Sequence, residues 1–151
     1  MNKPTLRVMQ ETDLPAVAAL HQHSFEVGWD AQSLRGLWAS GVRGWVMEQA
    51  SAIIAFLLTR TMADEAEIIS IATAADHRRS GFAKQLLQHA EDALKREGVT
   101  TLFLEVRADH DEPQNLYAEF GYETIATRKD YYRTATGEMR HARVMRKILS
   151  G

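Results

Sequence analysis

The segment DHRRSGFAKQLLQHA, residues 76 to 90, places basic residues, a serine and a glycine directly before a run of good helix formers. The first turn of a helix leaves backbone N–H groups without partners, and the helix dipole adds partial positive charge there. A phosphate group accepts such hydrogen bonds directly, and small residues such as Gly81 and Ala83 let it come close. Three basic side chains surround the same turn: Arg78, Arg79 and Lys84. The segment therefore indicates a pyrophosphate-binding site.

The alternative for this segment is a helix start that happens to follow an exposed basic turn. That alternative explains the sequence poorly, because basic residues near a helix N-terminus oppose the helix dipole. The Gly-Lys-Ser/Thr of a P-loop is absent, and so is the G-x-G-x-x-G of a dinucleotide-binding unit. Nucleotide hydrolysis is therefore not expected, and the phosphate belongs to another kind of ligand.

The elements that would position this site follow from hydrophobic periodicity and from helix start and stop signals. Asp13 and Pro15 open a first helix, and a second runs from Asp30 to near Gly41. Further helices are predicted at 80 to 97 and 112 to 120, and strands at 5 to 9, 43 to 49, 51 to 61, 66 to 73, 100 to 106, 122 to 128 and 141 to 148. The segment at 66 to 73 is apolar on both faces, so it is placed centrally in the sheet. This order predicts a mixed α/β domain.

Two side chains that could transfer protons lie downstream of the basic turn. In the strand TLFLEV, alternation places Glu105 on the face opposite the aliphatic residues. Glutamate is disfavoured in strands, so the pattern alone favours a Glu105 that faces water. Tyr117 lies beside Leu116 on a short predicted helix, where a tyrosine is most often a core or boundary residue.

The R-x-x-G-x-A pattern at residues 78 to 83, after a central strand, resembles the acyl-coenzyme A loop of the GNAT acetyltransferase superfamily. The predicted element order is similar to that fold as well, and the resemblance is sharpest over residues 66 to 132. It implies a GNAT fold of the α/β class, with a mixed central sheet of about seven strands. In that fold, strands 66 to 73 and 100 to 106 splay apart and acetyl-CoA lies between them.

The resemblance also implies which residues hold acetyl-CoA. The backbone of one strand end would bond the pantetheine arm, and the basic turn and first helical amides would hold the pyrophosphate. The residues concerned are Ile71, Ala72 and Thr73 for the arm and Arg78, Arg79, Ser80, Gly81, Phe82, Ala83 and Lys84 for the pyrophosphate. No metal is implied, and none of the six histidines has ligand spacing.

The stretch LEVRADHDEPQNLYAEFGYETIATRKDYY, residues 104 to 132, is similar to that of bacterial ribosomal-protein alanine N-acetyltransferases. This likeness implies that Glu105 is the general base and that Tyr117, near the thioester sulfur, is the general acid. The stretch departs from the family at His110, where an asparagine that contacts the cofactor is common. A histidine also donates a hydrogen bond, so His110 either keeps that contact or is a loop residue with no role.

The implied reaction is direct attack of an amine on a thioester, which needs a neutral amine. A free α-amine has a pKa of about 7.7–8.0, so roughly one in ten is neutral at pH 7, against about one in two thousand for lysine. A terminal amine therefore needs only modest help from a base such as Glu105. Tyr117 would then protonate the departing thiolate, and no acyl-enzyme is required.

The resemblance places two further segments on the acceptor side of the cleft. Tyr131 and Tyr132 fall in a predicted polar loop that would help to wall the cleft; the alternative is a mobile hairpin connection. In FEVGWD, Trp29 would lie on a substrate-side loop, or else anchor the core between the first two helices. Proline is more common in the family where Gly28 stands, which predicts a more flexible loop. His21 and His23, two apart on a helix, face different directions and form no metal pair.

Composition limits the classes of function. The chain has 151 residues, a net charge of −2 and no cysteine, so a cysteine nucleophile and disulfides are excluded and one domain is expected. The charge gives no support for a nucleic-acid or membrane surface, and no apolar run is long enough to cross a bilayer. Because the N-terminus lacks a signal-peptide core, a cytoplasmic protein is expected.

We therefore expect an N-acetyltransferase that uses acetyl-CoA and acts on the N-terminal alanine of a small-subunit ribosomal protein, as a monomer or homodimer. Two alternatives stay open: the same chemistry on a small-molecule amine or a protein lysine, and an acyl-CoA-binding module without turnover.

Overall fold

The computed structural model describes residues 3–25 and 28–149. Its elements are β1 (Thr5–Val8), α1 (Leu14–Ser24), α2 (Ala31–Ala39), β2 (Arg43–Gln49), β3 (Ala52–Met62), β4 (Glu65–Thr73), α3 (Phe82–Arg96), β5 (Thr101–Arg107), α4 (Asp111–Glu119), β6 (Glu123–Arg133) and β7 (Met139–Ile148). Short 3-10 turns precede α1 and α3. The α/β class and the order of helices and strands are those that the sequence predicts. In the described residues, no helix combines the length and apolar character needed to span a membrane.

The seven strands form one mixed sheet in the order β1-β2-β3-β4-β5-β7-β6. β4 is the middle strand, as its apolar sequence predicts. Among the described strands, only β4 and β5 run parallel, and all other neighbours are antiparallel. This parallel pair lies at the centre of the sheet, and α3 connects its two strands.

The β4–β5 pairing is short because β4 carries an extra residue. Along β3 the register steps from Leu58 opposite Ser70 to Thr59 opposite Ile68, so Ile69 is the bulged residue. The parallel pairing with β5 ends at the same level, with Ile68 opposite Leu104. Beyond that point β4 and β5 separate, which confirms the splayed GNAT arrangement expected from the sequence.

Helices cover both faces of the sheet. A cluster that includes Leu57 and Leu86 packs α3 against one face. A second cluster, with Val17, Leu34 and Phe56, packs α1 and α2 against the other. Each element thus buries one apolar stripe, and the two clusters hold α1 and α3 on opposite sides of the β4–β5 opening.

β6 differs from the prediction, which ended this strand at 128 and placed Tyr131 and Tyr132 in a loop. The strand continues to Arg133, so both tyrosines are strand residues. The pairing with β7 is irregular between Arg128 and Tyr132, where Asp130 has a φ of +52° and donates its N–H to His141 Nδ1 at 3.0 Å. Because β6 is an exposed edge strand of mostly polar residues, its sequence has the composition of a loop.

Candidate active site

A cleft of about 560 Å³ opens where β4 and β5 separate. Its walls come from α1 and the loop after it, from β4 and β5, from α4 and from the end of β6. Six of the residues singled out from the sequence line it: Trp29, Ile71, Glu105, His110, Tyr117 and Tyr132. Residues from distant parts of the chain therefore meet at one opening in the sheet.

The other predicted residues lie outside this cleft. Ala72 and Thr73 form the end of β4, and the turn from Arg78 to Lys84 leads from there into α3. Tyr131 is 48% exposed and packs edge-on against Tyr132, with ring centroids 5.3 Å apart. Of the two adjacent tyrosines, only Tyr132 faces the cleft, and it does so because neighbouring strand residues point to opposite faces.

Gly81 occupies the N-cap of α3, so the helix begins at Phe82 rather than at Ser80 as predicted. Its φ is +81° and no side chain caps the helix. The first amide paired within the helix is that of Gln85, which donates to Gly81 O at 3.0 Å, so the preceding amides are available to a ligand. A Cβ at Gly81 would meet no heavy atom within 4 Å, which leaves open space beside the turn.

Arg79 also adopts a positive φ, +65°, which is uncommon for a residue with a long side chain. Arg78 Nε donates to the carbonyl oxygen of Thr73 at 3.2 Å and so ties the turn to the end of β4. Lys84 pairs with Glu119 of α4 at 3.1 Å, and both side chains are more than half exposed, so this pair is weak. The turn keeps its positive charge at the surface, and its geometry and charge fit a diphosphate.

The alternating pattern alone favours a Glu105 that faces open water. In the structure, however, its side chain is only 21% exposed. Its Oε1 accepts a hydrogen bond from Nη1 of Arg128 at 2.9 Å. The guanidinium of Arg128 also lies over the ring of Tyr131, 4.7 Å from its centroid. Arg128 therefore connects the carboxylate on β5 with the tyrosines at the end of β6.

Tyr117 is 5% exposed and packs edge-on against Tyr122, with ring centroids 5.7 Å apart. Burial, and then the neighbouring Tyr132, raise the pKa of the Tyr117 hydroxyl above its usual range, so this hydroxyl is protonated at neutral pH. Burial, and then the charge of Glu105, raise the pKa of Tyr132 to about 12. Two neutral phenols and one carboxylate thus share the cleft.

A buried polar cluster lies behind Tyr117. The carboxylate of Glu91, on α3, is 4% exposed; it accepts a hydrogen bond from Tyr122 at 2.9 Å and one from Lys147 at 2.6 Å. Each carboxylate oxygen of Glu91 thus has a hydrogen-bond partner. The buried charge therefore links α3 to β7 and is not left unpaired. The helix with the basic turn is thereby fixed relative to Tyr117.

The wall that α1 and the loop after it form contains a histidine for which the sequence predicts no role, His21. The ring of His21 is 3% exposed and stacks on Trp29 and Phe25, with centroids 4.4 and 4.3 Å away. Its Nδ1 accepts a hydrogen bond from the backbone N–H of Trp29 at 2.9 Å. The sequence did contain a signal, since His21 continues the apolar stripe of Leu14 and Val17.

Close packing, not the flexibility predicted for the loop, explains why a glycine stands at position 28. A Cβ there would lie 2.5 Å from Cα of Gln22, so the loop packs too closely against α1 for any side chain. Glu26 and Val27, which belong to the same predicted loop, lie outside the described residues.

His110 lies at the cleft as the N-cap residue of α4, exposed and without a side-chain capping bond. Its carbonyl oxygen accepts a hydrogen bond from Nε2 of Gln114 at 2.8 Å. This bond holds the backbone of His110 but does not involve its imidazole. Within residues 3–25 and 28–149, no three His, Asp or Glu side chains come together as metal ligands.

A sequence profile of the acetyltransferase (GNAT) family matches residues 9–122. The chain belongs to the GNAT acetyltransferase family. It is 32% identical over 133 residues to the [ribosomal protein bS18]-alanine N-acetyltransferase of Escherichia coli K12, an alignment that covers 88% of this chain and 90% of that one. The GNAT family transfers acetyl groups from acetyl-CoA, so the protein is an N-acetyltransferase.

Solved structures share the fold of this chain. The crystal structure of the ribosomal-protein-S18-alanine N-acetyltransferase of Escherichia coli superposes with a TM-score of 0.92 at 30% identity and covers 99% of this chain and 96% of that one. YncA of Salmonella typhimurium, described as a putative acetyltransferase with its cofactor acetyl-CoA, shares the fold with a TM-score of 0.81 at 15% identity, over 97% of this chain and 94% of that one.

Proposed function

We propose that this GNAT enzyme transfers the acetyl group of acetyl-CoA to the α-amine of the N-terminal alanine of a small-subunit ribosomal protein. The observation that carries the proposal is the cleft between β4 and β5, in which Glu105 and Tyr117 lie together. The similarity to the Escherichia coli enzyme, whose name specifies alanine on ribosomal protein bS18, supports the acceptor. Such a reaction belongs in the cytoplasm, where ribosomal proteins are made.

Donor binding would use the separated edge of β4 and the entrance of α3. Ile71, Ala72 and Thr73 lie beyond the last residue of β4 that pairs with β5, so main-chain groups on that edge have no strand partner. These groups would bond the amides of the pantetheine arm. The turn from Arg78 to Lys84, with its uncapped helix start, would hold the pyrophosphate.

Glu105 and Tyr117 would serve as general base and general acid. The neutral amine attacks the thioester carbonyl carbon, and its proton passes to the Glu105 carboxylate, directly or through water. The tetrahedral intermediate then breaks the carbon–sulfur bond, and the leaving thiolate takes the proton of the Tyr117 hydroxyl. Burial keeps that hydroxyl protonated until the thiolate forms, because it raises the pKa of Tyr117.

The acceptor would enter from the side of Trp29 and Tyr132. Both line the cleft, and Tyr131 would contribute from the rim. His110, at the cleft beside α4, would contact the cofactor. This division places the donor towards α3 and the acceptor towards α1, with the reacting atoms between β4 and β5.

The test is acetylation of an alanine-starting ribosomal peptide compared with the same peptide blocked at its α-amine. We expect acetylation of the free peptide alone; equal acetylation of both would mean that a lysine is the acceptor. Glu105→Gln and Tyr117→Phe should each lower kcat by about 10²- to 10⁴-fold while acetyl-CoA still binds.

Glu123→Gln, at an exposed position at the start of β6, is the matched control and should leave kcat unchanged. If neither active-site variant changes product formation, the proposed catalytic pair is wrong. A wild-type protein that binds acetyl-CoA but acetylates no amine would instead be an acyl-CoA-binding module.

A further inference from the structure

His21 is held in one orientation by three ring contacts and one hydrogen bond. Its ring lies between the rings of Phe25 and Trp29, and Phe56 of β3 lies beyond, with a centroid distance of 6.1 Å. The backbone N–H of Trp29 donates to Nδ1 at 2.9 Å. A buried imidazole held by stacking and by a hydrogen bond cannot turn without breaking the contacts of the loop after α1.

These contacts also determine where the imidazole carries its proton. Nδ1 is an acceptor, so it has no proton. Burial lowers the pKa of His21 to about 4, so the ring is neutral at physiological pH. A neutral imidazole with an unprotonated Nδ1 carries its proton on Nε2, and Nε2–H is therefore a donor only.

The Nε2–H group faces the cleft. His21 is one of the residues that line the cleft, and among the described residues Nε2 has no hydrogen-bond partner. Among the described residues, every fully buried side-chain nitrogen or oxygen has a hydrogen-bond partner. Because Nε2 has none, it is not fully buried, and it reaches the cleft rather than the core. A fixed donor thus projects into the cleft from a wall that also contains Ser24, Phe25 and Trp29, on the proposed acceptor side.

We propose that His21 is a positioning residue whose Nε2–H donates a hydrogen bond to a backbone carbonyl oxygen in the first two residues of the acceptor peptide. The inference rests on the proposed function, because it needs a peptide acceptor. A carbonyl oxygen is the partner since an ammonium cannot accept, and the lone pair of a neutral α-amine has to attack the thioester. His21 is not the base, because its only unprotonated nitrogen is occupied by Trp29 N–H.

His21→Phe tests this assignment, because phenylalanine keeps the stacked ring and removes the donor. It also removes the Nδ1 acceptor of the Trp29 N–H, and the comparison between peptides separates that loss from the loss of the donor. The acceptors are an alanine-starting peptide and two analogues in which the first or the second carbonyl is a thioamide, whose sulfur accepts more weakly. For the wild type we expect one thioamide to raise the peptide KM. His21→Phe should raise the KM of the normal peptide about tenfold and remove the difference between the peptides.

Two further variants separate positioning from a structural role. His21→Gln restores an N–H near the position of Nε2 and should recover most of the peptide KM. His23→Phe is the matched control on the exposed face of α1 and should leave every constant unchanged. The KM for acetyl-CoA should not change in any of them, because the donor lies on the other side of the reacting centre.

A His21→Phe enzyme that still discriminates between the normal and thioamide peptides would overturn the proposal. So would a wild type that accepts all three equally. A loss of kcat with all acceptors alike would place Nε2–H at the thioester instead. If the wild type acetylates no alanine peptide, the proposed function fails. Peptide binding to the complex with coenzyme A then tests His21 separately. Equal affinity of the wild type and His21→Phe, or no binding by either, would overturn the inference.

Discussion

Nη1 of Arg128 lies 2.9 Å from Oε1 of Glu105, although the two residues are on strands separated by β7. Among the described residues, Oε2 has no hydrogen-bond partner, so one carboxylate oxygen is held and the other would be left for the acceptor in the proposed reaction. Arg128 is in turn held over the ring of Tyr131. The guanidinium thus aims the carboxylate without covering both of its oxygens.

Arg128→Met should therefore lower kcat by about 1.4- to fivefold, because a half-exposed ion pair contributes about 0.2–1 kcal/mol. Arg128→Lys should lie between this variant and the wild type, since lysine keeps the charge and loses the planar fork. Raising the ionic strength should reduce the difference between the variants. Arg96→Met, at the far end of α3, is the control. Equal kcat values for Arg128→Met and wild type would show that Arg128 does not orient the base.

Gly81→Ala should destabilise the protein by about 1–2 kcal/mol, because a residue with a Cβ is strained at a φ of +81°. Gly98→Ala, at a φ of +96° after the other end of α3, should cost about as much. Neither Cβ would meet a heavy atom within 4 Å, so the two variants are matched in packing. Only Gly81→Ala should weaken acetyl-CoA binding, measured by titration calorimetry. Equal affinities in the two variants would separate Gly81 from the pyrophosphate.

Gly28→Ala should destabilise the fold by about 1–3 kcal/mol and raise the acceptor KM, because its Cβ would lie 2.5 Å from Cα of Gln22. The loop would have to move, and the Trp29 N–H bond to His21 would lengthen. Gly36→Ala is the control: within α2, with no heavy atom near the added Cβ, it should stabilise the helix by about 0.5–1 kcal/mol. Urea unfolding and steady-state kinetics measure both effects, and an unchanged Gly28→Ala enzyme would mean that the loop is not packed on α1.

The stability of the protein should fall as pH drops from about 6.5 to 4. The folded state lowers the pKa of His21 to about 4, so the unfolded chain binds this proton more readily over that interval. The stabilisation is complete above the unfolded value and amounts to about 3 kcal/mol at most. Asp13 and Asp109 also have lowered pKa values, but theirs start from the lower carboxyl range, so their loss comes at more acidic pH.

Urea midpoints of wild type and His21→Phe at pH 7 and pH 5 measure this effect. The variant should lose less stability between the two pH values than the wild type does. If both lose the same amount, His21 is not the group that titrates.

The sequence predicts the order of the elements and the central position of β4, because these follow from local periodicity and from apolar composition. It also predicts that Gly81 lies at the start of α3, because a basic turn before a run of helix formers is a local pattern. The length of β6 could not be predicted, since an exposed edge strand of polar residues has the composition of a loop. The irregular register at Asp130 depends on a bond to His141 from another strand.

The sequence was least informative where the site depends on contacts between distant residues. Nothing in the spacing of Glu105 and Arg128, 23 residues apart, indicates that their side chains meet. His21 has the helical spacing of a core residue, and only the loop packed over it shows that Nδ1 is bonded and Nε2 is left to the cleft. The close approach behind Gly28 is likewise visible only once α1 and its loop are placed together.

The extra residue Ile69 ends one ladder of main-chain bonds in the middle of the sheet. A pantetheine arm carries two amides along an extended chain. Acetyl-CoA bound along β4 would therefore act like a short added strand and extend the main-chain hydrogen bonding of the sheet. Loading of acetyl-CoA would then slow deuterium exchange at the main-chain amides just after Ile69, and the enzyme would complete its own architecture with its substrate.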